Sequence, residues 1–325
     1  MTINELRKQF PDETSCRLFF ESVIWSSGRA CPHCESTKSW AIKGQSAREG
    51  LFECGSCGLQ FTVTTKTPMH STKLPLWTWL LAMYLISSSS KGISSVILVI
   101  LIGTTQKTAW KLGHAIRAMM ASVPTELPYL MGVVELDEKY LGGRPRFQEG
   151  VKHKGGKGTA KQCIAVAVER EGSVKAVLVP HDGESALGPF VKGAVDPAAY
   201  LMSDHNPAYV KIAAEFAGHS YVDHGEREYA RGEVHNNTAE SYNSLLERAK
   251  IGVFHYLSKE HMQRYVDEVS FRWNQRVPEM HRTRGGKEKV VMKPLPVIEK
   301  IQNLLRVALN IQLRWAAISS IYAIA

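Results

Sequence analysis

The chain has 325 residues, 44% of them apolar and 22% charged, which is enough for two or three domains with at least one proper core. A formal net charge of +9 favours a polyanionic partner, of which nucleic acid is the usual one. The opening MTINELRKQFPDETSC is polar and mixed in charge, unlike a secretory signal, and the apolar runs at 74–86 and 96–102 fall short of the roughly 18–20 residues of a membrane span. The expectation is a cytoplasmic protein with no membrane partner, whose six cysteines stay reduced, so that paired spacings point to metal.

Residues 1–28 read as N-terminal helices with Ser or Thr as caps. Residues 29–70 are rich in Gly, Ser, Lys and Cys, with short β-like pieces in SWAIK, LFEC and QFTVTT. Within them CPHC supplies Cys31 and Cys34, and CGSC supplies Cys54 and Cys57. Two such knuckles close a tetrahedral thiolate site around zinc, and four thiolates leave no open position, so this zinc folds a ribbon and does no chemistry. Cys16 and Cys163 stand alone and are expected to be buried, inert thiols.

Residues 71–125 carry helix-period apolar patterns broken by SSSSKG and IGTTQKT. Gly103 makes a turn, Thr104 or Thr105 caps, and Gln106 and Lys107 open a second helix. That outline fits a helix-turn-helix segment, in which Gln106 would face adenine and Lys107 guanine or phosphate. A plain helical hairpin has the same pattern.

From 131 to about 225 the pattern changes to strands: MGVVELD, QCIAVAVER, VKAVLVP and YLMSD. Between the first two lies RPRFQEGVKHKGGKGTAK, with six Lys or Arg against one Glu. Its Arg144, Arg146, Lys152, Lys154 and Lys157 form either a phosphate-gripping arm or a solvated connection. Three acids, Glu135, Asp137 and Glu138, crowd the end of the first strand, where an unpaired buried charge costs several kcal/mol. By alternation Glu135 shares a face with Asp137, and Glu138 points the other way. Asp204 ends a later strand-like run, and VHNNTAESYNSLLERAK puts Glu240 at the start of a helix. Two strand-end Asp and one helical acid that converge give hard oxygen ligands for Mg²⁺ or Mn²⁺. Two such ions about 3.5–4 Å apart serve phosphodiester chemistry. Residues 254–276 read as a helix on the sheet, with Trp273 in the core and Arg264, Arg272 and Arg276 either on DNA or on a solvated face. Residues 288–325 read as helical.

The order of zinc ribbon, TKLPLWTWLLAMYLISSSSKGISS, TQKTAW, VELDEKYLGG, the second Asp and HNNTAESYNSLLERAKIGVFHYLSKEHMQRYVDEVSFRWNQR resembles bacterial insertion-sequence transposases. The likeness is to the zinc-ribbon DDE group, ISXO2-like and distantly related to Mutator-type transposases, over about residues 15–285. It implies a ribonuclease-H-like domain at 130–285 with a mixed sheet flanked by helices. With the N-terminal helices, zinc ribbon, helix-turn-helix-like segment and helical tail at 286–325 read from the residues, the expected chain is multidomain, α+β and α/β. The resemblance also implies a Mg²⁺-dependent enzyme that cuts the ends of its insertion sequence and joins them to target DNA, as a homo-oligomer on double-stranded DNA in the bacterial nucleoid. By position Asp137 is then the first catalytic acid, Asp204 the second, and Glu240 the third, with Asn237 as the alternative, since members of the group carry Asn in that role. Arg248, or Lys250, takes the basic role that relatives give to Lys in LLKR, because Glu247 stands there in this chain. The competing reading is a non-catalytic DNA-binding protein that keeps the acidic domain as scaffold. One departure from the group is the run 96–102, apolar almost all round, which predicts a helix buried on every side or a copy that has lost activity.

Overall fold

The computed structural model describes residues 1–44, 47–143, 149, 161–226, 228, 230–282, 286 and 288–311. Arg144, Arg146, Lys152, Lys154 and Lys157, and the tail beyond 311, lie outside the described residues. The chain forms two compact units, Met1–Val123 with Leu295–Ala325, and Pro124–Pro294. Among the described residues no helix is long and apolar enough to cross a membrane.

In the first unit, α1 (Ile3–Gln9) and α2 (Glu13–Ile24) each open with a reciprocal capping box, Thr2 with Glu5 and Asp12 with Ser15. The ribbon follows as three short antiparallel strands, β1 (Ser39–Ala41), β2 (Phe52–Cys54) and β3 (Gln60–Phe61), in that order. Phe52 and Phe61 are buried, with the Trp25 ring edge-on to both at 5.5 and 6.1 Å. Helix α3 (Leu76–Ser88) has no charged residue and is buried on all sides. It lacks a cap of its own, and Glu13 of α2 supplies one by accepting from Leu76 N–H at 2.6 Å and Trp77 N–H at 3.3 Å. Helix α4 (Ser95–Ile102) ends at Gly103, whose φ of 65° is the left-handed conformation a helix stop favours, and Thr105 caps α5 (Gln106–Ser122).

Helix α4 corrects the expectation drawn from its composition. Only Leu98 is buried, and Val96, Ile97, Ile100 and Leu101 are exposed, Ile100 by 73%. An eight-residue helix packed against α3 and α5 can bury one stripe, and here it does no more than that.

The second unit is built on a five-stranded sheet. Its strands in chain order are β4 (Val133–Leu141), β5 (Gln162–Glu169), β6 (Val174–Val179), β7 (Tyr200–Asp204) and β8 (Gly218–Val222), and their order across the sheet is β6-β5-β4-β7-β8. The first three are antiparallel neighbours, while β7 and β8 run parallel to β4. Helices α6 (Glu184–Ala194) and α7 (Pro207–Ile212) cover one face through Val134, Leu136, Ala165 and Leu201. After the small hairpin of β9 (Ala230–Arg231) and β10 (Val234–His235), α8 (Asn237–Ala249) and α9 (Met262–Asn274) cover the other through Ile164, Val166 and Val168. This is a mixed sheet flanked by helices, the ribonuclease-H-like architecture.

Trp273 lies in that second core and donates from Nε1 to the Gly172 carbonyl at 3.1 Å. Arg264 is buried, and Arg272 pairs with the fully buried Glu268, so neither stands on a solvated face. The expected helix at 288 begins later. Residues 288–294 are instead β12 (Glu288–Pro294), paired residue for residue with β11 (Arg276–Arg282). Val290 and Val291 suit a strand, and Pro294 and Pro296 keep the helical pattern that follows from extending backward. The helix is α10 (Val297–Arg306), which packs against α2, α3 and α5 in the first unit.

Candidate active site

Asp137 lies in the middle of β4 and not at its end, because β4 outlasts one of its neighbours. Parallel pairing with β7 runs from Val133↔Tyr200 to Leu136↔Ser203, where β7 is about to end at Asp204. Pairing with β5 continues to Leu141↔Gln162. Among the described residues no strand pairs with that edge of β4 beyond Leu136, and Asp204, still paired with Val222 of β8, ends β7 beside it. This is the carboxyl end of the parallel strands, where open α/β sheets take their ligands.

At this edge Asp137, Glu138 and Asp204 each place one carboxylate oxygen within 4.8 Å of the others, and all three are half-buried. Glu138 does project from the opposite face to Asp137, as alternation requires, yet it joins the group. Its Oε1 accepts from Asn206 Nδ2 and its Oε2 from the Tyr209 hydroxyl, both at 2.9 Å. Burial, then the charges of Glu138 and Asp204, push Asp137 up to about 7. Hydrogen bonds from Glu138 N–H at 2.8 Å and Asn243 Nδ2 at 2.7 Å pull the other way. Burial and the charge of Glu138 also hold the Tyr209 phenol well above its ordinary range, so it donates as a neutral hydroxyl. Three hard oxygens that repel one another, with a buried Asn243 Oδ1 that has no hydrogen-bond partner among the described residues, fit a divalent cation of the magnesium or manganese type.

Helix α8 lies along β4 in register. Thr238 and Ala239 meet Glu135, Asn243 meets Asp137, and Glu247 meets Lys139 with 3.6 Å between charged atoms. Two strand residues advance about 6.7 Å and four helix residues about 6.0 Å, so the three contacts keep step. Glu135 is fully buried and belongs to the scaffold. It accepts from Thr238 N–H at 2.6 Å, Ala239 N–H at 3.0 Å and the Thr238 hydroxyl at 3.0 Å, and pairs with Arg170 at 2.7 Å. Helix α8 has no side-chain cap of its own, and this carboxylate supplies the anion that its N-terminus favours.

Glu240 and Asn237 sit exposed in the first turn of α8, and Glu240 is not part of the three-carboxylate group. Arg248 is exposed in the last turn, with Nε donating to the Ser244 carbonyl at 3.3 Å, and Lys250 pairs with Glu247 at 3.3 Å. In the first unit Gln106 and Lys107 open α5 on the surface, Gln106 donating to the Ser95 hydroxyl at 3.1 Å.

The four ribbon cysteines converge as their spacing requires. Cys31 and Cys57 sulfurs are 3.8 Å apart, and Cys34 and Cys54 sulfurs 3.5 Å. A tetrahedron with metal–sulfur bonds of about 2.3 Å has edges of about 3.8 Å, so the set fits zinc. Backbone N–H groups of Cys57 and Ser56 pull the Cys54 thiol down to about 6, favouring the thiolate that a metal takes. Cys16 and Cys163 are buried, and burial pushes the Cys16 thiol up to about 11.

Comparison with known proteins agrees with both centres. The family model described as "Transposase zinc-ribbon domain" matches residues 11–60, and that described as "ISXO2-like transposase domain" matches residues 129–274. Together they span more than half of the chain and enclose all four cysteines and all three clustered acids. This chain belongs to the ISXO2-like transposases.

A relative of this transposase is an uncharacterized protein in transposable element ISH50 of Halobacterium salinarum. It is 26% identical over 253 residues, which cover 74% of this chain and 84% of that protein. Among solved structures, the Mos1 strand transfer complex aligns over 61% of this chain and 76% of that one, at 11% identity and a TM-score of 0.22, a likeness too slight to bear on fold or function. The sequence reading of this transposase did not reach Asn243, Asn206 or Tyr209. Asn243 left one sign. It sits between Tyr242 and Leu246 on the apolar side of α8, where a buried amide needs a partner.

Proposed function

We propose that this DNA transposase cleaves the ends of its insertion sequence and joins the freed ends to target DNA at the acidic edge of β4. The observation that supports this reading is the meeting of Asp137, Glu138 and Asp204 inside the matched transposase domain. Asp137 and Asp204, with Glu138, would hold a divalent cation, magnesium or manganese, and Glu240 or Asn237 is the candidate for the remaining ligand from α8. A pair of such cations, when bound, supplies an activated attacking oxygen and a stabilised leaving oxygen.

The chain's own residues position that chemistry. Asn243 fixes the Asp137 carboxylate, Asn206 and Tyr209 fix Glu138, and Glu135 anchors α8 beside the edge. Arg248 contacts a backbone phosphate of the bound strand. Gln106 and Lys107 read the terminal repeat, and Arg144, Arg146, Lys152, Lys154 and Lys157 add phosphate contacts, which set affinity and its salt dependence more than sequence choice. Zinc on Cys31, Cys34, Cys54 and Cys57 is structural. Transposition brings two DNA ends together, so the acting form is a homo-oligomer on double-stranded DNA.

The test is a cleavage and joining assay with labelled duplexes built from the inverted repeats that flank the coding region. The wild-type chain with Mg²⁺ should nick at the repeat ends and join them to a plasmid, and Asp204→Asn should bind the same DNA and do neither. Cleavage by Asp204→Asn at the wild-type rate would remove Asp204 from the chemistry and overturn this reading.

A further inference from the structure

One strand out from the acids, three rings stand in a row. His205, the residue after Asp204, lies parallel to Tyr221 of β8, with ring centroids 4.8 Å apart and planes within 8°. Tyr221 in turn meets His219 at 6.0 Å and 36°. The row is held at both ends. His205 Nδ1 donates to Asp223 Oδ2 at 2.8 Å, and His219 Nε2 and the Ser203 hydroxyl are 2.9 Å apart. It is also open to solvent, with the His205 side chain 50% exposed and Tyr221 39% exposed. A fixed aromatic stack normally closes over its own faces in a core, whereas this one is half in solvent, and His205 directly follows Asp204 in the chain.

We propose that His205 and Tyr221 form a stacking shelf for a nucleobase unpaired beside the scissile bond. The proposal rests on the transposase chemistry proposed above, which brings a DNA strand across Asp204. Every base has a π-face, so stacking on an aromatic ring accepts a base without regard to its identity. A base stacked on His205 keeps the strand locally unpaired and sets which phosphate lies over Asp137 and Asp204. Asp223 and Ser203 hold the rings, and so act as positioning residues for the shelf.

The test uses the full chain and duplexes carrying the inverted repeats that flank its coding region. 5-Iodouracil placed in turn at each position around the cut should photo-crosslink to His205 or Tyr221 from one position, and His205→Ala should lose that crosslink. His205→Ala should slow cleavage of the fully paired end about tenfold. A mismatch at the crosslinking position should restore most of that loss, because the base no longer has to be unpaired, and His205→Phe should recover most of it by keeping a ring. A purely structural role for His205 gives no mismatch rescue. Wild-type cleavage without a crosslink, or a His205→Ala loss equal on paired and mismatched ends, overturns the shelf and leaves the transposase chemistry standing. Absence of wild-type cleavage at every end overturns that chemistry and the shelf with it.

Discussion

The carboxyl of Asp137 titrates near 7 because it is desolvated and faces Glu138 and Asp204, so the folded chain holds its proton more tightly than the unfolded chain does. Below about pH 4 the group is protonated in both states. Between there and about 7 it ionises readily only when the chain unfolds, so folding stability falls as pH rises through that window and levels off above it. The loss is on the order of 3 kcal/mol. Urea unfolding in a chelator should show the midpoint falling from pH 5 to pH 8, and either Mn²⁺ or Asp137→Asn should flatten the profile. A wild-type profile no steeper than that of Asp137→Asn would contradict the crowding of these acids. Glu135→Ala strips the anion from the α8 N-terminus and leaves Arg170 without its buried partner, so it should lower stability by about 3–5 kcal/mol in the same assay. Alternation alone places Glu135 and Asp137 on one face. What separates a capping acid from a cation ligand is Thr238, 103 residues away, and no local pattern carries that.

Elements were legible where one period dominates. The helices of the first unit and the central strands follow their apolar repeats, and Gly103 and Thr105 stop and start helices through backbone conformation and capping that their residue types favour. Legibility failed where pairing or packing decides. The residues of β12 take their strand form from β11, and the length of β4 past Asp137 comes from β5. Helix α4 is the sharpest case, since its composition says core and its short length leaves most of it in water. Leu98→Ala should therefore cost about 2–5 kcal/mol, while Ile100→Lys should change stability by no more than about 0.5 kcal/mol, both from denaturant midpoints. A severe loss from Ile100→Lys in the isolated chain would mean that the helix is turned the other way.

Each of the two units carries one centre that matches a family domain, thiolates in the first and carboxylates in the second. Because four-thiolate zinc is folding energy for a ribbon with so small an apolar core, zinc removal should expose residues near Cys31–Cys57 to protease while Pro124–Pro294 stays protected. Simultaneous cleavage of both units on chelation would show that they do not fold as separate bodies. The net charge of +9 promises DNA affinity that falls steeply with salt, whether or not the chain is catalytic, so binding alone decides nothing.

If the acidic edge of β4 holds the cation that does the chemistry, as proposed above, the metal preference of cleavage should follow the donor atoms at that edge. Asp204→Cys replaces a hard oxygen by a soft sulfur at that edge, and thiolate binds magnesium poorly and softer cations well. The variant should fail to cleave repeat ends in Mg²⁺ and regain cleavage in Mn²⁺ or Cd²⁺, while the wild-type chain works in Mg²⁺. Cleavage by Asp204→Cys in Mg²⁺ at the wild-type rate would mean that Asp204 holds no catalytic cation.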